Sequence, residues 1–372
     1  MNRLILIGNG FDLAHKLKTR YSDFLYYYLK NVFEEYNKNG ISEDILLSMG
    51  GKDVFSPKTH IETPPDVKVA INILDKIKKG SSYHSIRIEM HSELLIKSLE
   101  NIVERNWVDI EDNYYRLLTK IINNKYNNKR TLESKVVQLN KELDFIKLKL
   151  KEYLRTLDYT IVNDNSKDII SELFCEYIYK DEVVSMKKKL VSDHLPNELL
   201  FLNFNYTRTL NHYIENVSKK IFENQIISIH GEINNSDNPI IFGFGDEIDK
   251  EYKTLEDLNE NEYLRHMKSF GYFKTTNYHK LISFTNYSPF QVYILGHSCG
   301  LSDRTMLNQI FEHDNCKSIK IFYYQKEDGS DDYVEKTHEM SRHFKNKISM
   351  REKIIPKQKS RKLPKIVNEE II

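Results

Sequence analysis

The run Leu4-Ile5-Leu6-Ile7 passes directly into Gly8-Asn9-Gly10, and this junction constrains the fold more than any other stretch. A short aliphatic run closed by glycine reads as a strand buried on both faces, the kind found in parallel sheets. After Gly10 the pattern turns helical, with Asp12 the expected N-cap. Strand, glycine turn and helix predict the first βα unit of an α/β sheet. Such a strand needs a neighbour on each side. From about residue 24 to 194, however, the chain is rich in lysine, asparagine and tyrosine and shows helical periodicity with little strand signal.

The neighbours come after Pro196. "ELLFLNFNYT" (198–207), "NQIISIHGE" (224–232), "NPIIFGFGD" (238–246), "FQVYILGHSCG" (290–300) and "CKSIKIFYYQ" (316–325) each carry a β-branched or aromatic run. The expected class is therefore α/β, a Rossmann-like parallel sheet with a large α-helical insertion. Residues 1–30 and 195–335 would form the core and 31–194 the insertion, with a loop from Ser48 to Pro65. Within the insertion Leu132, Val136, Leu139, Leu143, Ile146, Leu150, Tyr153 and Leu157 alternate steps of four and three. That seam suits either a helix packed in an antiparallel hairpin or a coiled-coil dimer. From Arg342 to Lys365 ten Lys/Arg face one acid, Glu352. Residues 340–372 are expected to be a basic, flexible tail.

A formal charge of +1 gives no drive toward nucleic acid. Cys175, Cys299 and Cys316 are odd in number and scattered, which suits reduced thiols in a cytoplasmic protein. The run at 4–7 is too short for a secretory signal, and nothing approaches the roughly 18 apolar residues of a membrane span. A cytoplasmic protein is expected.

In open α/β sheets ligands bind beyond the carboxyl ends of the strands. Gly8-Asn9-Gly10 occupies such a position, where a close-approaching backbone and a helix N-terminus suit a phosphate. Leu13 stands where the dinucleotide fingerprint has its third glycine. Polar residues close the later strands: Asn205, His230, Asp246, and Ser298 with Asp303. Parallel strands would gather them on one sheet edge, as a pocket requires.

"LILIGNGFDLAHKLKTRYSDFL", "NWVDIEDNYY" (106–115), "FLNFNYT", "IHGEIN", "IIFGFGD" and "ILGHSCGLSDRTM" together resemble the AbiH-type bacteriophage abortive infection proteins. More distantly they are similar to the sirtuin-like NAD-hydrolase domains of antiphage defence. The resemblance implies an antiphage effector that binds NAD as its substrate and cleaves the nicotinamide–ribose bond. It implies Asn205 and His230 as catalytic residues, the one holding ribose and water, the other acting as base. It implies Gly8, Asn9, Gly10, Phe11, Asp12, Thr207, Gly231, Gly296, Ser298 and Asp303 as the nucleotide-binding set, with the glycine turn under the diphosphate. It further implies a phage-derived trigger or partner subunit, and a homo-oligomer through the helical region. Thr207 replaces the aspartate of the sirtuin-like pattern and Asp12 replaces its serine. "NWVDIED" has no sirtuin counterpart; Glu111 lies one helical turn after Trp107, as a surface carboxylate or a pocket group.

Three rivals stand beside this reading. A sensor or scaffold would bind a dinucleotide without cleaving it. "GHSCG" (296–300) fits a nucleophile elbow, with Asp328 or Asp331 and His338 or His343 to complete a triad around Ser298. A nucleic-acid-acting toxin would use the basic tail. The histidines of "HEMSRH" (338–343) are five apart, whereas H-E-x-x-H places them four apart on one helical face. No metal is expected.

Overall fold

The computed structural model describes residues 1–52, 59–80, 83–105, 108–124, 128–157, 164–184 and 192–366. Trp107 lies outside them. The chain divides into two compact units, one of Met1–Lys18, Leu157–Tyr252 and Met267–Ile372, the other of Thr19–Thr156 and Lys253–His266.

The first unit is α/β. Its strands are β1 (Asn2–Ile7), β2 (Leu199–Asn203), β3 (Asn224–Ser228), β4 (Phe290–Leu295), β5 (Cys316–Tyr323) and β6 (Arg361–Lys362). All pairings are parallel, in the order β3-β2-β1-β4-β5-β6. This is the 3-2-1-4-5-6 order of a Rossmann-like sheet. Every residue of β1, β2 and β4 is buried, because both faces are covered. Leu4, Leu6, Leu200, Leu202, Val292 and Ile294 enter one core cluster; Ile5, Ile7, Leu199, Phe201, Tyr293 and Leu295 enter the other. The strand order reverses between β1 and β4. Ile7 is in register with both Asn203 and Leu295, so the loops after these strands leave from one edge.

Three expectations for this unit need correction. The "IIFGFGD" run is not a strand. Ile240 to Asp246 are all buried, but the segment is a loop tied by single bonds: Ile241 N–H to His230 O (2.8 Å), Lys268 N–H to Phe244 O (2.9 Å) and Thr305 N–H to Gly245 O (3.1 Å). Its apolar residues serve burial rather than a ladder. The basic stretch is folded as far as Ile366. It forms a helix, Lys347–Lys353, and edge strand β6, and buries Ile355, Leu363 and Ile366, while Lys357 and Lys359 pair with Asp331 and Asp181. Asp12 is not an N-cap. The first helix, Asn9–Ala14, starts from Gly8 and contains Asp12.

Away from the carboxyl edge, β1, β4 and β5 share a buried polar network. Arg3 donates to Gln291 Oε1 (3.0 and 3.3 Å) and Phe174 O (2.8 Å). Its guanidinium lies 4.0 Å from the centre of the Tyr293 ring. Lys320 Nζ donates to Glu182 Oε1 (2.8 Å) and Gln291 Nε2 to Glu182 Oε2 (3.1 Å).

The second unit is mainly helical, with a three-stranded antiparallel sheet of Ile41–Glu43, Leu47–Gly51 and Ile86–Met90. That sheet falls partly where the sequence suggested a loop. From Leu132 to Tyr153 the heptad seam lies on one helix, Lys129–Arg155, and Leu157 falls beyond it. Its Val136, Leu139, Leu143, Ile146, Leu150 and Tyr153 are buried, with Tyr153 against Phe24 and Tyr27. Tyr114, on the helix Ile110–Ile122, donates to Asn140 Oδ1 at 2.7 Å. The seam is thus occupied within the chain. Glu111 is buried in this unit, not a surface carboxylate.

Candidate functional site

The glycine turn after β1 meets the turn after β4. Gly8 N–H donates to Leu295 O (3.0 Å) and Gly10 N–H to Gly296 O (2.8 Å). A Cβ on Gly8 would stand 2.4 Å from His297 Cα, and one on Gly296, whose φ is +71°, 2.1 Å from Phe11 N. Glycine is required here because two backbones touch. The two N–H groups are thus taken up by Leu295 O and Gly296 O. Asn9 is exposed, while the Phe11 ring sits in the core against His15, Phe174 and Tyr213.

Asn205 and Thr207 follow β2 and reach back to this turn. Asn205 Nδ2 donates to Gly8 O at 3.1 Å. Thr207 Oγ1 donates to Asp12 Oδ2 at 2.7 Å, whereas Asp12 Oδ1 is buried with no partner. Burial pushes the Asp12 carboxyl up to about 6, against the opposing effects of Thr207, Thr209 and Asn205.

His230 turns in after β3 and meets Asp303, which lies just before the helix Arg304–Phe311. Its Nε2 is 3.1 Å from Asp303 Oδ1, and the Phe204 ring stands edge-on to it at 5.1 Å between centroids. A carboxylate can only accept, so Nε2 carries the proton and Nδ1 holds the lone pair. Asp303 Oδ1 also accepts from Lys268 Nζ at 2.8 Å, and Oδ2 faces His297 Nε2 at 3.6 Å. Cys299 N–H donates to His297 Nδ1 at 3.0 Å, which assigns the His297 proton to Nε2. Burial alone would raise the Asp303 carboxyl; Lys268, then His230 and His297, hold it well below the usual range. Burial first, then the charge of Lys268, lowers His230 and keeps it neutral. Lys268 Nζ occupies the flank of Asp303 where a cation would sit. Among the described residues no group of three His, Cys, Asp or Glu forms a metal site.

The remaining expected residues are placed as follows. Gly231 has φ +86° and a Cβ there would meet Pro239 O at 2.3 Å, so its glycine answers to the turn. Ser298 is exposed. His343 Nε2 bonds Cys299 O (2.7 Å) and its Nδ1 has no partner, so no Ser298–His343 hydrogen bond exists. The residue at positive φ in "GHSCG" apart from glycine is Cys299, not Ser298. Burial pushes the Cys299 and Cys316 thiols up to about 12 and Cys175 up to about 11; all three are free and buried.

The family model for bacteriophage abortive infection AbiH matches residues 4–325. The chain belongs to the AbiH family. A search of curated proteins finds no match. The AbiH match spans every strand that bears a site residue, and it carries with it a role in phage abortive infection. Among the described residues, no helix of this AbiH protein is long and apolar enough to cross a membrane. Two members of its buried cluster are absent from the expected site residues. Lys268 sits in "RHMKSFGYF" with nothing to mark it off from the chain's many surface lysines. His297 was legible: it is the residue between Gly296 and Ser298, at a strand end, where attention goes to the serine.

Proposed function

We propose that this AbiH protein serves abortive infection by binding NAD at the carboxyl ends of β1 to β4 and hydrolysing its nicotinamide–ribose bond. The observation that carries this reading is His230: its Nε2 is fixed by Asp303, its ring is held neutral, and Nδ1 makes no hydrogen bond among the described residues. A neutral imidazole with one nitrogen tied to a carboxylate is a base at the other nitrogen. Nδ1 would take a proton from water or from a ribose hydroxyl. Expulsion of nicotinamide leaves an oxocarbenium-like ribose, so the protein must chiefly position the sugar and direct a water. Asn205 donates one N–H to Gly8 O and keeps Oδ1 for a hydroxyl or water. Gly8 and Gly10 would shape the floor of the site rather than bind phosphate through their own N–H groups.

A second reading, a sensor that binds NAD and leaves it intact, is favoured by Thr207, which donates to Asp12 instead of presenting a carboxylate. One experiment separates the two. Purified protein, alone and with lysate of phage-infected cells, is incubated with NAD, and nicotinamide is measured by chromatography alongside NAD binding. The hydrolase releases nicotinamide, and His230→Ala lowers the rate by about 10²–10⁴-fold. Binding without product identifies the sensor. Neither binding nor product under both conditions counts against both.

A further inference from the structure

The helix Lys268–Tyr272 is little more than one turn long, and both of its ends reach the pair formed by His230 and Asp303. Lys268 Nζ donates to Asp303 Oδ1 at 2.8 Å, the same oxygen that stands 3.1 Å from His230 Nε2. Tyr272 Oη lies 3.4 Å from Nε2, with its ring nearly parallel to the imidazole. Lys268 is firmly seated. Its side chain is fully buried, its N–H donates to Phe244 O at 2.9 Å, and a Cβ on Gly245 would stand 3.4 Å from its own Cβ. The buried "IIFGFGD" loop is thus the wall that holds the lysine.

Fixing the imidazole needs only the carboxylate. An unopposed carboxylate at this distance, however, also favours the charged ring, and a base that already carries its proton cannot accept another. The ammonium removes that conflict. It offsets the charge of Asp303, leaves the carboxylate ionised to accept from Nε2, and disfavours a second positive charge on the ring. The other groups facing His230 do not take its place. His297, after β4, approaches the other oxygen of Asp303, Oδ2, at 3.6 Å. Phe204 brings no charge, and the Tyr206 hydroxyl donates to Ile241 O at 3.2 Å. Burying an ammonium is costly even when it is paired, and an apolar side chain would serve packing alone.

We propose that Lys268 is a positioning residue for the NAD hydrolysis put forward above: by sharing Asp303 Oδ1 with His230, it keeps the Nδ1 lone pair open for the proton it must take. The role in catalysis rests on that hydrolase reading; the shared oxygen does not.

The test is NMR titration of isotope-labelled histidines in the full chain, with His230 assigned through His230→Gln, beside the pH profile of nicotinamide release. In the wild type His230 should titrate below its ordinary 6.5. Lys268→Met should move that titration, and the acid limb of the rate profile, upward by about one pH unit or more. Lys268→Arg keeps the cation and should reverse most of the shift. Thermal melts establish that each variant is folded, and Lys268→Gln, uncharged but still a donor, replaces a Met variant that is not. A lysine with a merely structural role would lower the melting temperature and leave the His230 titration in place. That result, an arginine variant that titrates with the methionine one, or a wild-type His230 that titrates at 6.5 or above overturns the proposal. Absence of nicotinamide from the wild type defeats the hydrolase reading, and the catalytic role of Lys268 with it, whatever the His230 titration shows.

Discussion

Lys268 Nζ donates to Asp303 Oδ1 at 2.8 Å with both side chains nearly out of water, at 0% and 9% exposure. Removing either charge alone leaves the other buried without this ion pair. Asp303→Asn keeps the shape and leaves a buried ammonium, so stability should fall by about 3–5 kcal/mol, read from urea unfolding. Because the Asp303 carboxyl lies well below its ordinary 3.8, its contribution is complete above about pH 4 and is lost as the pH falls through the folded value. The wild-type and variant curves should converge at acid pH.

Glu182→Ala provides a comparison away from the carboxyl edge. It removes the nearer of two carboxylates from Lys320, which is 2% exposed and keeps Glu176 at 3.6 Å, and should cost up to about 3–5 kcal/mol. On the proposed hydrolase function, and measured well below its melting temperature, this variant should release nicotinamide at the wild-type rate, whereas Asp303→Asn should not. Equal loss of activity in both would mean that Asp303 acts through stability alone.

Asp12→Asn should stabilise the protein. The buried carboxyl is raised to about 6, so its charged form opposes folding fully above pH 6, progressively less below, and not at all below about pH 4. Asparagine retains an oxygen for the Thr207 hydroxyl and carries no charge. The gain should be on the order of 2 kcal/mol at pH 8 and vanish near pH 4. Thermal melts at the two pH values measure it, and a variant less stable at pH 8 would show the carboxylate to be supported.

What the sequence made legible follows from periodicity. β1, β2 and β4 are largely apolar runs because a parallel sheet covered on both faces favours them, and the polar residues after β2 and β3 place Asn205 and His230 at its carboxyl edge. "IIFGFGD" misled because burial, not strand pairing, selected Ile240, Ile241 and Phe242. Asp12 misled because an acid early in a helix usually caps it, and only tertiary packing brings Thr207 to its carboxylate. The basic C-terminal stretch was misread because three well-spaced apolar residues, Ile355, Leu363 and Ile366, suffice to seat it. Lys268 acquires its role from Asp303, 35 residues away, and no local pattern records such a pairing.

Gly296→Ala should be among the most damaging single substitutions. It combines a left-handed backbone with a Cβ 2.1 Å from Phe11 N. Strain in φ costs about 1–2 kcal/mol and overpacking about 1–3 more. Gly329→Ala is the control: φ is +83° there, with nothing within 4 Å of the added carbon. It should lose only the strain component when the two are compared by denaturant midpoint.

β1 leaves the ribosome before the other strands of its sheet, yet it sits at the middle of that sheet, between residues 199–203 and 290–295. At a synthesis rate of about 5–20 residues per second, the amino-terminal strand waits some 15–60 s before its second flank exists. Newborn chains therefore hold this aliphatic segment without its second flanking strand until residues 290–295 have been made. Arrested nascent chains of about 250 residues should be cut by protease near their amino terminus, while released full-length chains should not.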